Sequence, residues 1–264
     1  MTKNILTNIW LNRPSLICSA SCATAIPATQ RFRRSGKRFE AEGIFDHGIN
    51  SILRLRDPAF NIAPQTHGMT VFSPEGTRTV HMMEFGLVPP WCYGKKITGR
   101  FTNTRAETIN EKLAFKDLLP GKRCLIPATG FFEWKKEDGR KQPYHFRLRG
   151  SGLFAFAGLW DTWRSSDPTA NESYSFAIVT TSPNELCATV HDRMPVILDA
   201  EAEKRWLDPD EKEPERLLPL LKPYPAEQMA CYPVDPRMGY ARFNDRRCVE
   251  PWDGKMPQLS LLSK

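Results

Sequence analysis

The sequence predicts an α+β domain: a strand-dominated, mixed or antiparallel, barrel-like sheet with short flanking helices. Three observations predict it. β-Branched, aromatic and apolar runs of strand length recur from Thr70 to Thr181. Turn-forming residues separate them at hairpin spacing, and the helical periods between them are few. A doubly wound parallel sheet needs helices alternating regularly with strands, and that alternation is missing.

Taken in order, residues 1–59 show no sustained helix or strand period and read as an atypical basic N-terminal extension, with the domain spanning residues 60–264. Residues 70–72 and 77–88 flank Ser73-Pro74-Glu75-Gly76, whose Pro and Gly supply turn geometry, so they read as a hairpin. In residues 106–119, the apolar positions 106, 109, 113 and 118 approximate one stripe before Pro120-Gly121, which predicts an amphipathic helix packed on a sheet. Residues 123–128 and 130–136 are strand candidates, and Asp138-Gly139 is a type I′ turn signal leading into residues 142–148. Residues 153–163 and 174–181 complete the strands. Short helices are expected at 183–188, capped by Ser182, and at 200–207, capped by Asp199.

The 264 residues, 41% of them apolar, are enough for one substantial core. The formal charge of +7 favours a polyanionic partner, and also fits many soluble enzymes. Its cysteines (Cys18, Cys22, Cys92, Cys124, Cys187, Cys231, Cys248) are odd in number and scattered, so neither a disulfide scaffold nor a CxxC zinc pattern is read, and a reducing compartment follows. No run approaches the roughly 18 to 20 apolar residues of a membrane span. Lys3, Arg13, Arg31, Arg33, Arg34, Lys37 and Arg38 all precede the first acidic residue, Glu40. Such a stretch suits an organellar leader, a basic arm on nucleic acid, or a disordered or mis-assigned leader. The expected location is the cytoplasm, on the nucleoid, with the organellar leader as the alternative.

Phosphate-loop, GxGxxG, HExxH and GxSxG motifs are all missing, which removes nucleotide hydrolases, Rossmann enzymes and zinc proteases. Glu133, between Phe132 and Trp134, is either a partly desolvated carboxylate suited to proton transfer or a strand residue facing water. His191 beside Asp192-Arg193 is a candidate acid near neutral pH or an ordinary surface histidine. Arg105 and Arg193 either grip phosphates or pair internally with Glu107 or Asp192. Trp91, after Pro89-Pro90, offers a base-stacking face or closes a core.

Taken together and in order, the segments FNIAP, FGLVPPW, TNTRAET, RCLIPATGFFEWKK, KQPY, FAFAGLW, FAIVTTSPN, HDRMPVIL, WLDP, LLKPYPAEQM and YPVDPR closely resemble the SOS-response-associated peptidase family, across roughly residues 60–237. The resemblance implies a protein that binds single-stranded DNA containing abasic sites. In that family an N-terminal Cys forms an imine with the deoxyribose aldehyde through its α-amine and closes a thiazolidine ring through its thiolate. The same Cys releases the residue before it by self-cleavage. Matched by position, the resemblance makes Asn103 the residue orienting the N-terminus, Glu133 the proton-transfer group and His191 the acid or oxyanion stabiliser. Pro64, Trp91, Arg105, Thr180 and Arg193 would line the DNA groove, and neither cofactor nor metal is implied. A monomer is expected.

The chain departs from the family where the nucleophile belongs, because it opens Met1-Thr2-Lys3-Asn4 and not with the family's Cys-Gly-Arg. Three explanations stand. A cut before Cys22, or alternatively before Cys18, exposes a new N-terminal Cys, although Cys22-Ala23-Thr24 lacks the following Gly and Arg. The first 59 residues reflect a shifted frame or a wrong start. Or the chain is a degenerate, non-crosslinking single-strand binder. A peptidase acting on other chains is a further rival.

Overall fold

The computed structural model describes residues 21–23, 38–39, 43–44 and 59–254, apart from residues 75, 96, 98, 138, 151, 165–166, 168 and 170–171. Two sheets organise them. The larger closes on itself through five strands: β3 (His67–Phe72), β4 (Thr79–Phe85), β6 (Arg123–Ala128), β9 (Phe154–Trp163) and β10 (Ser173–Thr181), in the order β10-β4-β3-β6-β9 with β9 pairing back to β10. All of these pairings are antiparallel except β4 with β10, which run parallel at Glu84↔Ser175. The expected barrel-like, mixed sheet is therefore present.

Closure has a simple cause in the residues. Every position of β6 is buried, so both faces of the strand must meet apolar partners. On one face Phe72 meets Trp160 edge-on at 4.9 Å and Tyr174 at 6.4 Å, from strands that are not its neighbours, so this face points into the barrel. On the other face Leu125, Ala157, Leu159 and Val179 pack against Ile109, Leu119, Trp206 and Leu217 outside it. Helix α2 (Ala200–Leu207) supplies Trp206, and α3 (Pro214–Leu217) supplies Leu217. The buried Arg123 ties the outer layer down by donating to the carbonyls of Leu119 (2.7 Å), Trp206 (2.6 Å) and Asp208 (2.5 Å).

The second sheet is antiparallel, in the order β1 (Ser21–Ala23), β7 (Gly130–Glu137), β8 (Arg140–Leu148), β13 (Met229–Pro233). One residue, Thr129, separates β6 in the barrel from β7 in this sheet. At that point Gly130 is required by space: a Cβ there would lie 2.1 Å from His145 Nε2 and 2.6 Å from the Phe146 carbonyl oxygen. Small strands complete the edges. β2 (Gly43–Ile44) runs parallel to β4, β5 (Asn103–Arg105) runs parallel to β10, β11 (Met194–Pro195) pairs with β10, and β12 (Ile197–Leu198) pairs with β9.

Three expectations need correction or completion. Residues 106–119 do not form one amphipathic helix: a 3-10 turn at Ala106–Thr108 leads into successive single turns, with Lys112 N–H donating to Thr108 but Phe115 N–H to Lys112. The physical reason is that the buried residues would fall on two faces of one helix: Ala114, Phe115, Leu118 and Leu119 share one side, whereas Ala106 and Ile109 would lie on the other, around Leu113, which is 70% exposed. The cap before α1 (Glu185–Ala188) is Asn184 rather than Ser182, since its side chain accepts from Cys187 N–H at 2.8 Å. Asp199 caps α2 as expected.

The third concerns residues 1–59. Phe39 is 1% exposed within the outer core, its carbonyl accepts from Arg78, and Arg38 makes a two-pronged ion pair with the buried Glu203 at 2.8 and 3.2 Å. Together with β1 and β2, these contacts build parts of the stretch into the domain. The basic residues Lys3 to Lys37, and Cys18, lie outside the described residues.

Candidate functional site

The site forms where β7 approaches the loop after α1. Glu133 is 1% exposed, so the strand turns this carboxylate inward rather than to water, where strand alternation with its aromatic neighbours Phe132 and Trp134 could have pointed it. His191 Nε2 lies 3.9 Å from Glu133 Oε2. The Arg193 backbone N–H lies 3.1 Å from His191 Nδ1, which turns the Nε2 edge of the ring toward Glu133. The exposed Asp192 carboxylate sits 3.2 Å from Nδ1. The two side chains are thus arranged for proton exchange through a bridging group between them.

A polar wall extends from this pair. Arg193 makes two parallel bonds to the Glu107 carboxylate, 2.8 Å each, and a third to the Thr180 carbonyl at 2.8 Å. Thr180, 2% exposed, donates through its hydroxyl to the Thr104 carbonyl at 3.2 Å. β5 lies alongside, with Asn103 in register with Ile178 and the exposed Arg105 in register with Thr180. Asn103 Nδ2 donates to Thr102 Oγ1 at 3.3 Å. Trp91, half exposed, stands edge-on to Phe101 at 6.1 Å, two residues ahead of Asn103.

The structure therefore brings Glu133 and His191 into direct apposition and joins Asn103, Arg105, Thr180 and Arg193 through the β5–β10 pairing. Trp91 joins through Phe101. Pro64 is linked less directly: its turn is fastened to the end of β4, where Gln65 N–H donates to the Phe85 carbonyl at 2.7 Å. Arg193 is engaged by Glu107, the internal pairing that its sequence context left open. In β1, Cys22 is the register partner of Phe131, two residues from Glu133.

Two side chains have surroundings that escape sequence reasoning. Cys187 is buried, and burial first, then the Glu133 charge, push its thiol up to about 12, so it is a poor nucleophile beside the carboxylate. Asn61 holds the C-terminal segment, its amide donating to the carbonyls of Met238 (2.8 Å) and Phe243 (3.2 Å). No local pattern marks either role, because both depend on residues far away in the chain. Among the described residues no three His, Cys, Asp or Glu side chains converge as a metal set, and no helix is long and apolar enough to cross a membrane.

Residues 30–241 match the SOS response associated peptidase (SRAP) family. The chain belongs to the SRAP family. It is 41% identical over 194 residues to the abasic site processing protein YoqW of Bacillus subtilis, covering 73% of this chain and 86% of that protein. It is 30% identical over 273 residues to the abasic site processing protein HMCES of Gallus gallus, covering 91% of this chain and 78% of that one. Among solved structures, a protein from Bacteroides thetaiotaomicron superposes with a TM-score of 0.76 at 27% identity, over 88% of this chain and 99% of that chain. The SRAP match begins at residue 30, ahead of Phe60, in the stretch that carries the buried Phe39 and the Arg38–Glu203 pair.

Proposed function

We propose that this SRAP protein processes abasic sites in single-stranded DNA, and that it captures them covalently through Cys22 once the residues before it have been removed by self-cleavage. The observation that carries the reading is the register of β1 on β7, which sets Cys22 opposite Phe131 and two residues from the buried Glu133. Relatives named abasic site processing proteins support the wider reaction class. Hydrolysis of the Ser21–Cys22 peptide bond consumes one water and yields a Ser21 carboxylate and a Cys22 α-amine. That amine adds to the deoxyribose aldehyde and expels water to give an imine. The thiolate then adds to the imine carbon, the nitrogen takes up a proton, and a thiazolidine ring results. Glu133 moves protons at the amine and at the sugar oxygen, with His191 as the partnering acid. Trp91 offers a face for a base and Arg105 a cation for a phosphate.

The test combines an intact mass of the purified protein with denaturing electrophoresis after incubation with abasic single-stranded DNA. A chain starting at Cys22 that forms a denaturation-resistant complex, abolished by Cys22→Ala, is the expected result. Glu133→Gln should slow capture by about a hundredfold while leaving affinity for intact DNA in place. Equal rates in Glu133→Gln and the parent remove Glu133 from the mechanism. A protein that retains residues ahead of Cys22, binds DNA and never shifts is a binding-only member of the family, the reading favoured by the missing Gly and Arg after Cys22.

A further inference from the structure

Glu107 occupies an unusual place for a carboxylate in a groove read as binding a polyanion. It projects from the single 3-10 turn Ala106–Thr108, its side chain 49% exposed, and both its oxygens are taken by the Arg193 fork at 2.8 Å. The hydrogen bond from Arg193 is the leading reason its carboxyl is held below the usual range, and the nearby Arg105 adds to the effect. A guanidinium fork accepts a carboxylate and a phosphodiester with the same two-bond geometry. We infer that Glu107 stands in for a DNA phosphate: its carboxylate fills an anion position beside Arg105 and Arg193 in the free protein and gives way to a phosphodiester when a strand binds. Glu107 thereby sets how tightly the groove holds nucleic acid. The inference rests on the single-stranded DNA reading above.

Three features make the exchange physically reasonable. The pair opens to water on the Glu107 side, and a phosphodiester arriving there replaces both of its bonds with two of the same geometry, so the exchange leaves the guanidinium satisfied. Glu107 can swing into water because half of its side chain already faces it. Arg193 does not follow, since it is 14% exposed and remains tied to the Thr180 carbonyl. The cation is thus pre-positioned and the anion on it is replaceable, which is the arrangement a selective phosphate site needs.

The experiment measures anisotropy of a labelled intact oligothymidylate, so that covalent chemistry plays no part, across a salt series. The proteins are the parent, Glu107→Gln, Glu111→Gln, Arg193→Met and the Glu107→Gln/Arg193→Met pair. Glu111 is an exposed neighbour, and its substitution controls for the change in net charge. Glu107→Gln should bind about fivefold more tightly than Glu111→Gln, with a salt slope steeper by up to about 0.7, and the gain should vanish beside Arg193→Met. If Arg193→Met does not fold, Arg193→Lys, which loses the fork, replaces it. Glu107→Gln binding no more tightly than Glu111→Gln, or a gain that survives loss of the fork, overturns the exchange. Weaker binding by Glu107→Gln overturns it too, by making Glu107 a brace for Arg193. A parent protein that does not bind the oligonucleotide at all removes the DNA reading, and the exchange with it.

Discussion

Gly130→Ala tests how firmly the site is tied to the barrel. An added Cβ would lie 2.1 Å from His145 Nε2, 2.8 Å from His145 Cε1 and 2.6 Å from the Phe146 carbonyl oxygen. The imidazole cannot swing clear easily, because its Nδ1 is hydrogen-bonded to the Tyr232 hydroxyl at 3.0 Å and its ring is packed at 5.0 Å from Phe132. The carbonyl is backbone and cannot rotate away at all. β7 must therefore move off β8, straining the ladder that holds Glu133 three residues further on. Overpacking of this kind costs about 1–3 kcal/mol, and a clash with backbone belongs at the top of that range. Reduced freedom of the unfolded chain returns about 0.4–1 kcal/mol, leaving a loss of about 2 kcal/mol or more. For a domain of this size that corresponds to a fall in Tm of about 4–8 °C. Calorimetry or urea unfolding, with the m-value checked, measures it. A Tm unchanged within about 1 °C would show that the β6–β7 junction adjusts freely, against the close approach described here.

Two further predictions concern stability. Burial, with a smaller effect from Arg147, pushes the His145 ring down to about 4 from 6.5. The unfolded ring thus takes up a proton at a pH where the folded one does not, so its contribution is complete above about 6.5 and is lost as pH falls toward 4, by up to about 3 kcal/mol. His145→Gln should remove this acid sensitivity, seen as a smaller drop in urea midpoint between about pH 7 and 5; an identical drop in both proteins would count against it. Arg123→Met leaves the buried carbonyls of Leu119 and Trp206 and the partly buried one of Asp208 without their shared donor and should destabilise by about 3 kcal/mol, less the gain from no longer desolvating a charge. A loss under about 1 kcal/mol would mean that water replaces the guanidinium.

The strands were legible because their signals are local. Gly139 adopts φ 77° next to a hairpin whose ladder runs from Glu137↔Arg140 inward, as the Asp138-Gly139 pair predicts, although Asp138 itself lies outside the described residues. The stretch 106–119 departs from the predicted helix because the stripe through Ala106, Ile109 and Leu113 follows a face that the fold exposes at Leu113, while Ala114, Phe115, Leu118 and Leu119 are buried on the other. Phe39 and Arg38 gave no signal, since an isolated aromatic in a basic stretch reveals its partner only when Glu203, 165 residues away, is folded beside it. At the site, the aromatic flanks of Glu133 hinted at desolvation, but its approach to His191 depends on two segments 58 positions apart, a relation that no spacing rule contains. The engagement of Arg193 by Glu107, 86 residues away, is of the same kind.

β10 has a consequence for how the molecule comes into being. It is the last of the five barrel strands to leave the ribosome, yet it carries the pairings with β4, β5, β9 and β11. Until residue 181 has emerged the cylinder stays open and Asn103 lacks the strand that holds it, whereas the β7–β8 hairpin is already complete in the chain. Growing chains fold as units become available, so the strand that carries Glu133 precedes the polar wall of Thr180 and Arg193 in birth order. A chain interrupted before β10 would carry Glu133 with neither His191 nor Arg193 to meet it, so the Glu133–His191 apposition is withheld until a segment 58 positions further on has been made.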